Sequence, residues 1–413
     1  MNLVKKNIFI LVFIQGINYL FPLLTIPFLS RVFGPEGIGA LTLAQAIILY
    51  LGFIVDFGFG LTVTRKISLA EKNKDQNQIN NLFTQTLILK IVFFIVLVFF
   101  AGLISQFVES LSDVKQLIYI GFFSLLGAAI NPVWLFQGLQ KMNTLIIPAV
   151  LPKIVVILLI FNFIHTKQDI NLAMLLLSIN ALAGGIISFY FIFKMNLASF
   201  CKIKLNDCLD LTRESFYIFI SYLGTSFYTT LNTFIMSFYV NLKQLGIYSS
   251  AEKVTSTAQS LMIPISQAIF PNLACFNSKN EYISNLKKYG LFLFFVSSCI
   301  TFSLYFLSKL IILTLFGTQF KESIHLLQVL SFLPMVVSIG IIFGQWGLVI
   351  IGQAKLLGKI YLFFGCLHLT YVFVMLMKFG IFGAAISILI TETLISFFLF
   401  LMFVRQLKKW VII

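Results

Sequence analysis

The stretch KMNLASFCKIKLNDCLDLTR, residues Lys194 to Arg213, lies almost at the centre of the chain. It is the longest polar interruption in an otherwise apolar sequence. Such a composition shift marks a boundary between units. We therefore expect a cytoplasmic linker over residues 194–213, which joins an N-terminal lobe, residues 1–193, to a C-terminal lobe, residues 214–413.

The two halves on either side of this linker resemble each other. When Gly39 is set on Gly246, the following Thr, Ala and Gln of the first half fall on Ser, Ala and Glu of the second. A second pair, QGLQK at residues 137–141 and IGQAK at residues 351–355, occurs in the same order. An internal duplication of a membrane bundle is typical of secondary transporters, which bind substrate between the repeats near mid-membrane.

The composition predicts the fold class. The chain is 59% hydrophobic and only 10% charged, and it contains 48 Phe residues. So few charges cannot cover a soluble surface, so we expect an all-α polytopic membrane protein. The net charge of +15 fits a basic face toward anionic membrane lipids and requires no nucleic-acid partner.

Apolar runs of about 20 residues, the length a helix needs to cross the hydrocarbon core, predict twelve spans. These are residues 8–30, 38–62, 81–103, 116–138, 144–164, 172–193, 214–238, 248–273, 288–307, 323–350, 357–377 and 382–404. Most Lys and Arg residues outside them fall in the inner loops if the N-terminus is inside. This bias favours twelve spans with both termini in the cytoplasm.

The loops exclude several function classes. None exceeds about twenty residues, too short for a nucleotide-binding or catalytic domain. No Gly-rich phosphate loop is present, so ATP does not drive this chain directly. Nothing in the sequence has the grouping of an enzyme site or of a metal or cofactor site. We therefore expect no enzyme activity and no cofactor.

Ionisable residues inside spans are costly and are therefore candidates for function. Asp56 lies deep in span 2 between Gly52 and Gly60, while Lys90 and Lys153 lie near mid-depth in spans 3 and 5. The surplus of Lys predicts an anionic ligand bound by Lys90 and Lys153, with Asp56 coupling transport to an ion. The alternative is that Asp56 pairs with one of the lysines only to neutralise buried charge.

Further charged residues extend this set of candidates. We assign Arg31, and Lys253 near the outer end of span 8, to substrate binding, and we assign Glu252 to ion coupling. Glu392 and His368 also lie within spans, but we expect them to make hydrogen bonds between helices.

The internal repeat adds a candidate gate. Glu36 aligns with Lys243, so equivalent outer loops carry opposite charges. Residues related by a pseudo-two-fold axis along the membrane normal can meet at that axis. We expect the two to touch across the outer mouth when the protein faces the cytoplasm. The alternative is two unrelated, solvated charges.

Six motifs carry a resemblance to a known family, and NPVWLFQG is the most specific part of them. They are SRVFGPEGIGALTLAQAI (30–47), DFGFGLTVTR (56–65), NPVWLFQGLQKM (131–142), YSSAEKV (248–254), PISQAIFPNLA (264–274) and LFGTQFKES (315–323). In these motifs the chain resembles the Wzx-type polysaccharide repeat-unit (O-antigen) flippases of the multidrug/oligosaccharidyl-lipid/polysaccharide exporter superfamily.

The resemblance implies two six-helix lobes around a central cleft lined by spans 1, 2, 7 and 8. It also implies movement of an undecaprenyl-pyrophosphate-linked oligosaccharide from the inner to the outer leaflet, with a polysaccharide polymerase and chain-length machinery as candidate partners. Two alternatives stay open. A drug or metabolite antiporter of the same superfamily would carry acidic cavity residues for a cationic substrate. A lipid-modifying enzyme would need a loop domain, which this sequence lacks.

Overall fold

Helices form all the regular structure in the computed structural model, which describes residues 3–107, 109–226, 228–274 and 278–409. Hydrocarbon offers no water to bond backbone groups, so an apolar chain satisfies them within helices. The α-helices are α1 Leu3–Asp56, α2 Phe59–Lys72, α3 Gln76–Phe107, α4 Lys115–Ile130, α5 Val133–Gly138, α6 Ile146–Phe163, α7 Ile170–Lys194, α8 Leu205–Ser226, α9 Thr230–Met236, α10 Leu242–Ser260, α11 Met262–Ala274, α12 Lys279–Leu315, α13 Ser323–Leu330, α14 Leu333–Gly340 and α15 Ala354–Lys409. A π-helical segment, Ile341–Val349, follows α14.

Eight helical stretches within the described ranges are long and apolar enough to cross a membrane. Two of them, Phe13–Lys72 and Ala354–Lys408, each contain two predicted spans. A glycine with positive φ divides each pair: Gly34 at 67° and Gly380 at 53°. Glycine tolerates this left-handed conformation because it has no Cβ, so consecutive spans join without a long loop.

Several predicted spans are interrupted helices in the structure. Span 214–238, for example, contains the greater part of α8 and all of α9, and span 248–273 contains the end of α10 and most of α11. Pro264 lies in the first turn of α11, where its missing N–H would have no partner inside the helix anyway. A new helix can therefore begin there although the apolar run continues.

The first of two compact units comprises Met1–Phe33 and Ala40–Tyr222. Its apolar core is built from α2, α3 and α5, with Phe59, Phe83 and Phe136 fully buried. Helices α4 and α7 also pack together in this unit.

The predicted linker belongs to this first unit, where it lies along α3. Gln76 donates a hydrogen bond to the carbonyl of Leu197, and the backbone N–H of Ser199 donates to Asn80 Oδ1. One turn further, the N–H of Cys201 donates to Thr84 Oγ1. Side chains four residues apart lie on one helix face. The side chains of α3 therefore hydrogen-bond to backbone groups of alternate residues in this extended segment, which belongs to no strand among the described residues.

The second unit comprises Gly34–Gly39 and Leu223–Ile413. Trp346 is fully buried in its apolar core. The indole N–H of Trp346 donates to Ser266 Oγ at 3.0 Å, and its carbonyl accepts from the Tyr282 hydroxyl at 2.7 Å. These bonds satisfy the polar atoms of large side chains buried among apolar neighbours.

A reciprocal contact joins the repeat-related glycines within the second unit. A Cβ on Gly39 would lie 1.8 Å from the carbonyl oxygen of Leu242, and a Cβ on Gly246 would lie 1.7 Å from that of Pro35. Pro35 and Leu242 precede their glycines by one helical turn and are themselves equivalent in the repeat. Small residues allow helix backbones to approach this closely, so we call this contact the glycine crossing.

We predict that Gly39→Ala and Gly246→Ala each destabilise the protein, because the new methyl group would overlap a carbonyl oxygen. Overpacking of this kind costs about 1–3 kcal/mol. Thermal unfolding of the detergent-solubilised protein measures the effect. Gly16→Ala is the matched control, since a Cβ there meets nothing within 4 Å. Equal midpoints for all three variants would contradict the close approach.

Candidate functional site

A cavity of about 610 Å³ lies inside the first unit. Its wall is mostly apolar, and its polar side chains are Gln45, Asp56, Ser124 and Ser178. Gln45 and Asp56 share a face of α1, because their separation is about three helical turns. The Ser178 hydroxyl is buried and has no hydrogen-bond partner among the described residues. The cavity therefore offers polar groups to a ligand.

Asp56 is the last residue of α1, at a break between two helices. The sequence predicts that span 2 continues to residue 62, but α1 ends at Asp56 and α2 begins at Phe59. Phe57 and Gly58 have positive φ angles of 44° and 77°. The Phe57 ring stacks on Phe219 at a centroid distance of 4.5 Å, and this packing stabilises a conformation that a non-glycine residue seldom adopts.

Asp56 and Lys90 form an ion pair beside the cavity. Lys90 Nζ lies 2.9 Å from Asp56 Oδ1; the Lys90 side chain is 3% exposed and that of Asp56 is 40% exposed. Lys90 also donates to the carbonyl of Ala128 at 3.4 Å, in the last turn of α4. Helix C-termini carry partial negative charge, so Lys90 compensates the end of α4 in addition to the Asp56 carboxylate.

The glycines on either side of Asp56 have different surroundings. A Cβ on Gly60 would lie 3.2 Å from Asp56 Oδ2, so Gly60 leaves room for the carboxylate itself. Gly52 lines the cavity, and a Cβ added to it would meet no atom within 4 Å. Of these two glycines, Gly52 is therefore the one that keeps space open for a ligand.

Lys153 belongs to a second polar cluster of the first unit. Its ammonium donates to Asn18 Oδ1 and to the carbonyl of Ala149. Asn18 in turn donates to Gln15, and Gln15 donates to the Tyr19 hydroxyl. No ion pair joins Lys153 to a carboxylate in the part of the chain that the structure describes. Lys153 is thus a half-buried cation held by neutral groups.

The other predicted site residues are on α1 and α10. Arg31 is exposed on α1, three residues before Gly34. Glu252 and Lys253 are adjacent on α10 in the second unit, and both are partly buried.

The predicted gate residues flank the glycine crossing. Glu36 and Lys243 each follow a crossing residue, Pro35 and Leu242 respectively, and both are exposed. No ion pair joins them within the described ranges.

The second unit contains polar side chains around His368 and Glu392, for which the sequence predicted only hydrogen bonds between helices. His368 Nδ1 bonds to Thr391 Oγ1 at 2.7 Å, and the Tyr371 hydroxyl bonds to the same oxygen. The Tyr228 hydroxyl bonds to the carboxylate of Glu392. Tyr228 was not singled out from the sequence, because one tyrosine in an apolar run gives no signal of its partner.

Other residues missed from the sequence did leave a signal. Gln45, Gly52 and Asp56 repeat at the spacing of one helix face, which predicts a polar stripe along α1. Ser124 and Ser178 are single hydroxyls in apolar helices, a common feature that does not indicate a cavity by itself.

The motif NPVWLFQG is a packing element in the structure. Thr64 Oγ1 donates to the carbonyl of Trp134, and Ser68 Oγ donates to that of Gly138. Thr64 and Ser68 are one turn apart on α2, so they bind successive turns of α5. The motif therefore stabilises the first unit and contributes no side chain to the cavity wall.

Known proteins with similar sequences belong to one functional group. The model of the family described as "Polysaccharide biosynthesis protein" matches residues 4–276. A protein of Shigella dysenteriae named "Putative O-antigen transporter" is 33% identical over 96% of this chain and 98% of its own. A protein of the same name from Escherichia coli (strain K12) is 30% identical over 98% and 97%. The "Probable low-salt glycan biosynthesis flippase Agl15" of Haloferax volcanii is 21% identical over 88% and 76%.

Solved structures show the same fold. The lipid II flippase MurJ in an inward closed conformation has a TM-score of 0.72 at 14% identity, over 96% of this chain and 87% of its own. An inward-facing multidrug resistance transporter of the MATE family has a TM-score of 0.71 at 15% identity, over 96% and 95%. The predicted fold class, an all-α polytopic membrane protein, is confirmed.

We predict that a double-mutant cycle on Asp56 and Lys90 gives a coupling free energy of about 2 kcal/mol, because the two charges are in contact and the Lys90 side chain is only 3% exposed, which strengthens their coupling. Asp56→Asn, Lys90→Gln and the double variant are compared by thermal or denaturant unfolding. Lys66 and Glu214 are the matched control: they also pair, at 2.8 Å, but their side chains are 32% and 52% exposed. That pair should contribute about 0–1 kcal/mol, and equal coupling for the two pairs would contradict the prediction.

Proposed function

The chain belongs to the polysaccharide biosynthesis protein family, and from this membership we propose that it is a flippase for lipid-linked oligosaccharides. The substrate is an undecaprenyl-pyrophosphate-linked repeat unit, which moves from the cytoplasmic to the outer leaflet of the bacterial inner membrane by alternating access. The full-length relatives named above support this function, since they are named as transporters and not as enzymes. The fold shared with MATE and MurJ transporters is compatible with it.

The chemistry of the substrate explains what the protein must provide. The polyprenyl tail can remain in the bilayer, but the pyrophosphate and sugars cannot enter hydrocarbon without replacement of their hydration. A site for this head group needs cations for the phosphates and neutral polar groups for the sugars. The first unit offers both kinds of group in the cavity and in the Lys153 cluster.

The observation that carries the proposal is the surroundings of Lys153. Among the described residues this half-buried ammonium has neutral hydrogen-bond partners and no carboxylate counter-ion, and a phosphate oxygen would supply one. Lysine suits a phosphate because it acts as a compact point charge with three donors. We assign Lys153 as the first pyrophosphate ligand and Lys90 as the second.

The same charges favour a flippase over a cation antiporter of the same fold. A cationic substrate would need a carboxylate without a partner, but the carboxylate of the cavity already pairs with Lys90. Binding of cationic dyes to the purified protein distinguishes the two functions. Strong dye binding that Asp56→Asn removes would favour the antiporter.

Ion coupling is assigned to Asp56, with Glu252 in a parallel role in the second unit. A carboxyl group that exchanges between a cavity and its lysine can load or release a proton as access changes. Arg31 and Lys253 are assigned to the substrate on the basis of charge and position. Both termini are placed in the cytoplasm, and a polysaccharide polymerase with its chain-length machinery would receive the translocated unit.

We expect Lys153→Gln and Lys90→Gln each to abolish surface glycan in a strain that depends on this protein, because each removes a phosphate ligand. Glycan is measured on gels, and the amount of protein is measured in isolated membranes. Lys167→Gln is the control, since Lys167 is exposed in the connection between α6 and α7. Full transport by both Gln variants at normal protein level would refute the proposed site.

Glu36 and Lys243 are assigned to an outer gate that closes when the protein faces the cytoplasm. Their position beside the glycine crossing supports this role, since that crossing already brings their neighbours Pro35 and Leu242 to helix contact. Exposed pairs contribute only about 0–1 kcal/mol, yet such a bias can shift a balanced two-state equilibrium several-fold.

A cysteine pair tests this gate. After replacement of the five native cysteines, oxidation of the Glu36→Cys, Lys243→Cys variant should form a disulfide, which requires Cα atoms within about 7 Å. Transport should stop and should return on reduction. Each single cysteine variant serves as the control. The gate is wrong if no cross-link forms, or if the cross-linked protein still transports.

A further inference from the structure

Lys90 has an unusual position relative to the cavity. It does not line the cavity, but both of its partners, Asp56 and Ala128, do. Its ammonium therefore lies directly behind the wall, separated from the cavity by the carboxylate that it binds. The side chain is 3% exposed, so a ligand cannot reach it while the ion pair holds.

The surroundings of the pair restrict what can replace it. Besides Asp56, the polar side chains of the cavity wall are Gln45 of α1, Ser124 of α4 and Ser178 of α7. The carboxylate itself lies against Gly60 of α2 and Lys90 of α3. Phe216 and Phe219 of α8 pack on the adjacent Phe57. Among the residues named here, Lys90 is the only one with an ionisable side chain. Once the carboxylate loses its charge, no other anion of this set remains for Lys90.

We propose that Asp56 and Lys90 form an exchange switch in which a proton on Asp56 frees Lys90 to bind a phosphate of the substrate. This inference rests on the proposed function and extends it from the identity of the ligands to the order in which they act. The ionised carboxylate holds Lys90 behind the wall. The protonated carboxyl no longer does so, and the flexible four-carbon stem lets the ammonium turn into the cavity.

Charge balance supports this exchange. A buried ammonium without an anion is strongly disfavoured. In the resting state its counter-ion is the Asp56 carboxylate, and in the loaded state it is a phosphate oxygen. One proton enters from the cavity water and binds a carboxylate oxygen as one phosphate charge enters, so the net charge of the site does not change. Because linkage is reciprocal, substrate binding must also promote proton uptake.

The structure also explains why the two lysines differ. Lys153 is bonded to neutral groups alone, so it can take a phosphate at any pH at which it is charged. Lys90 can do so only after Asp56 accepts a proton. The pyrophosphate would therefore meet Lys153 first, and engagement of Lys90 would report that the proton is loaded.

Binding of a short-chain polyprenyl pyrophosphate, geranylgeranyl pyrophosphate, to the purified full-length protein tests the switch. Wild-type affinity should fall with rising pH, by up to about tenfold per unit for one linked proton. Asp56→Asn should bind at high pH as tightly as the wild type does at low pH and should lose this extra slope. The titration of the probe itself is common to both proteins and cancels in the comparison.

Lysine variants and a control complete the test. Lys90→Gln should bind the probe weakly at every pH. Lys90→Arg keeps the positive charge, so it should restore both the affinity for the probe and its dependence on pH. Glu214→Gln, which disrupts the exposed pair with Lys66, should match the wild type. A thermal midpoint for each variant confirms that it is folded.

Two outcomes would overturn the switch. If Asp56→Asn keeps the wild-type slope, or if it weakens binding as Lys90→Gln does, the exchange is wrong, while the flippase function stands. If the wild type does not bind the probe at any pH, the pyrophosphate site itself is wrong, and the exchange fails with it.

Discussion

The absence of water in hydrocarbon is the constraint on which this structure depends. Every backbone group must find a partner within the protein, so the described chain is mostly helical, and several of its departures from helix have a visible structural basis. At Gly34 and Gly380 a glycine takes the left-handed conformation. At Phe57 an aromatic stack on Phe219 supports the break. Along the linker, α3 side chains replace the missing backbone partners.

The same constraint organises the charges. Lys90 binds the Asp56 carboxylate and a carbonyl in the last turn of α4 together, so one cation neutralises a side chain and compensates a helix end. Lys153 lacks such an anion and relies on an amide and a carbonyl. Of these two lysines, Lys90 is neutralised by a carboxylate and Lys153 has no carboxylate partner among the described residues, and this difference gives the proposed site its preference for an anion. In the second unit, the hydrogen-bond partner of Glu392 is a neutral side chain, the hydroxyl of Tyr228.

The sequence predicted the class of the protein because its composition and the length of its apolar runs depend directly on whether water or lipid surrounds the chain. It also identified Asp56, Lys90 and Lys153, since charges are conspicuous among apolar residues. It left open which lysine pairs with Asp56, because spacing along the chain does not reveal which helix packs beside α1. The end of α1 at Asp56 was unexpected, since it depends on contact with Phe219, which is distant in sequence. The cavity hydroxyls were missed for a similar reason: burial, and not residue type, sets them apart.

The glycine crossing has a consequence for the origin of the chain. Pro35 contacts Gly246 as Leu242 contacts Gly39, so each partner makes the same contact as the other. This is the form of an isologous interface between two copies of one protein, now enclosed in a single polypeptide. An ancestral homodimer of half-length chains would present identical residues at the positions of Glu36 and Lys243. Opposite charges at these two equivalent positions are therefore possible only where both halves belong to one polypeptide.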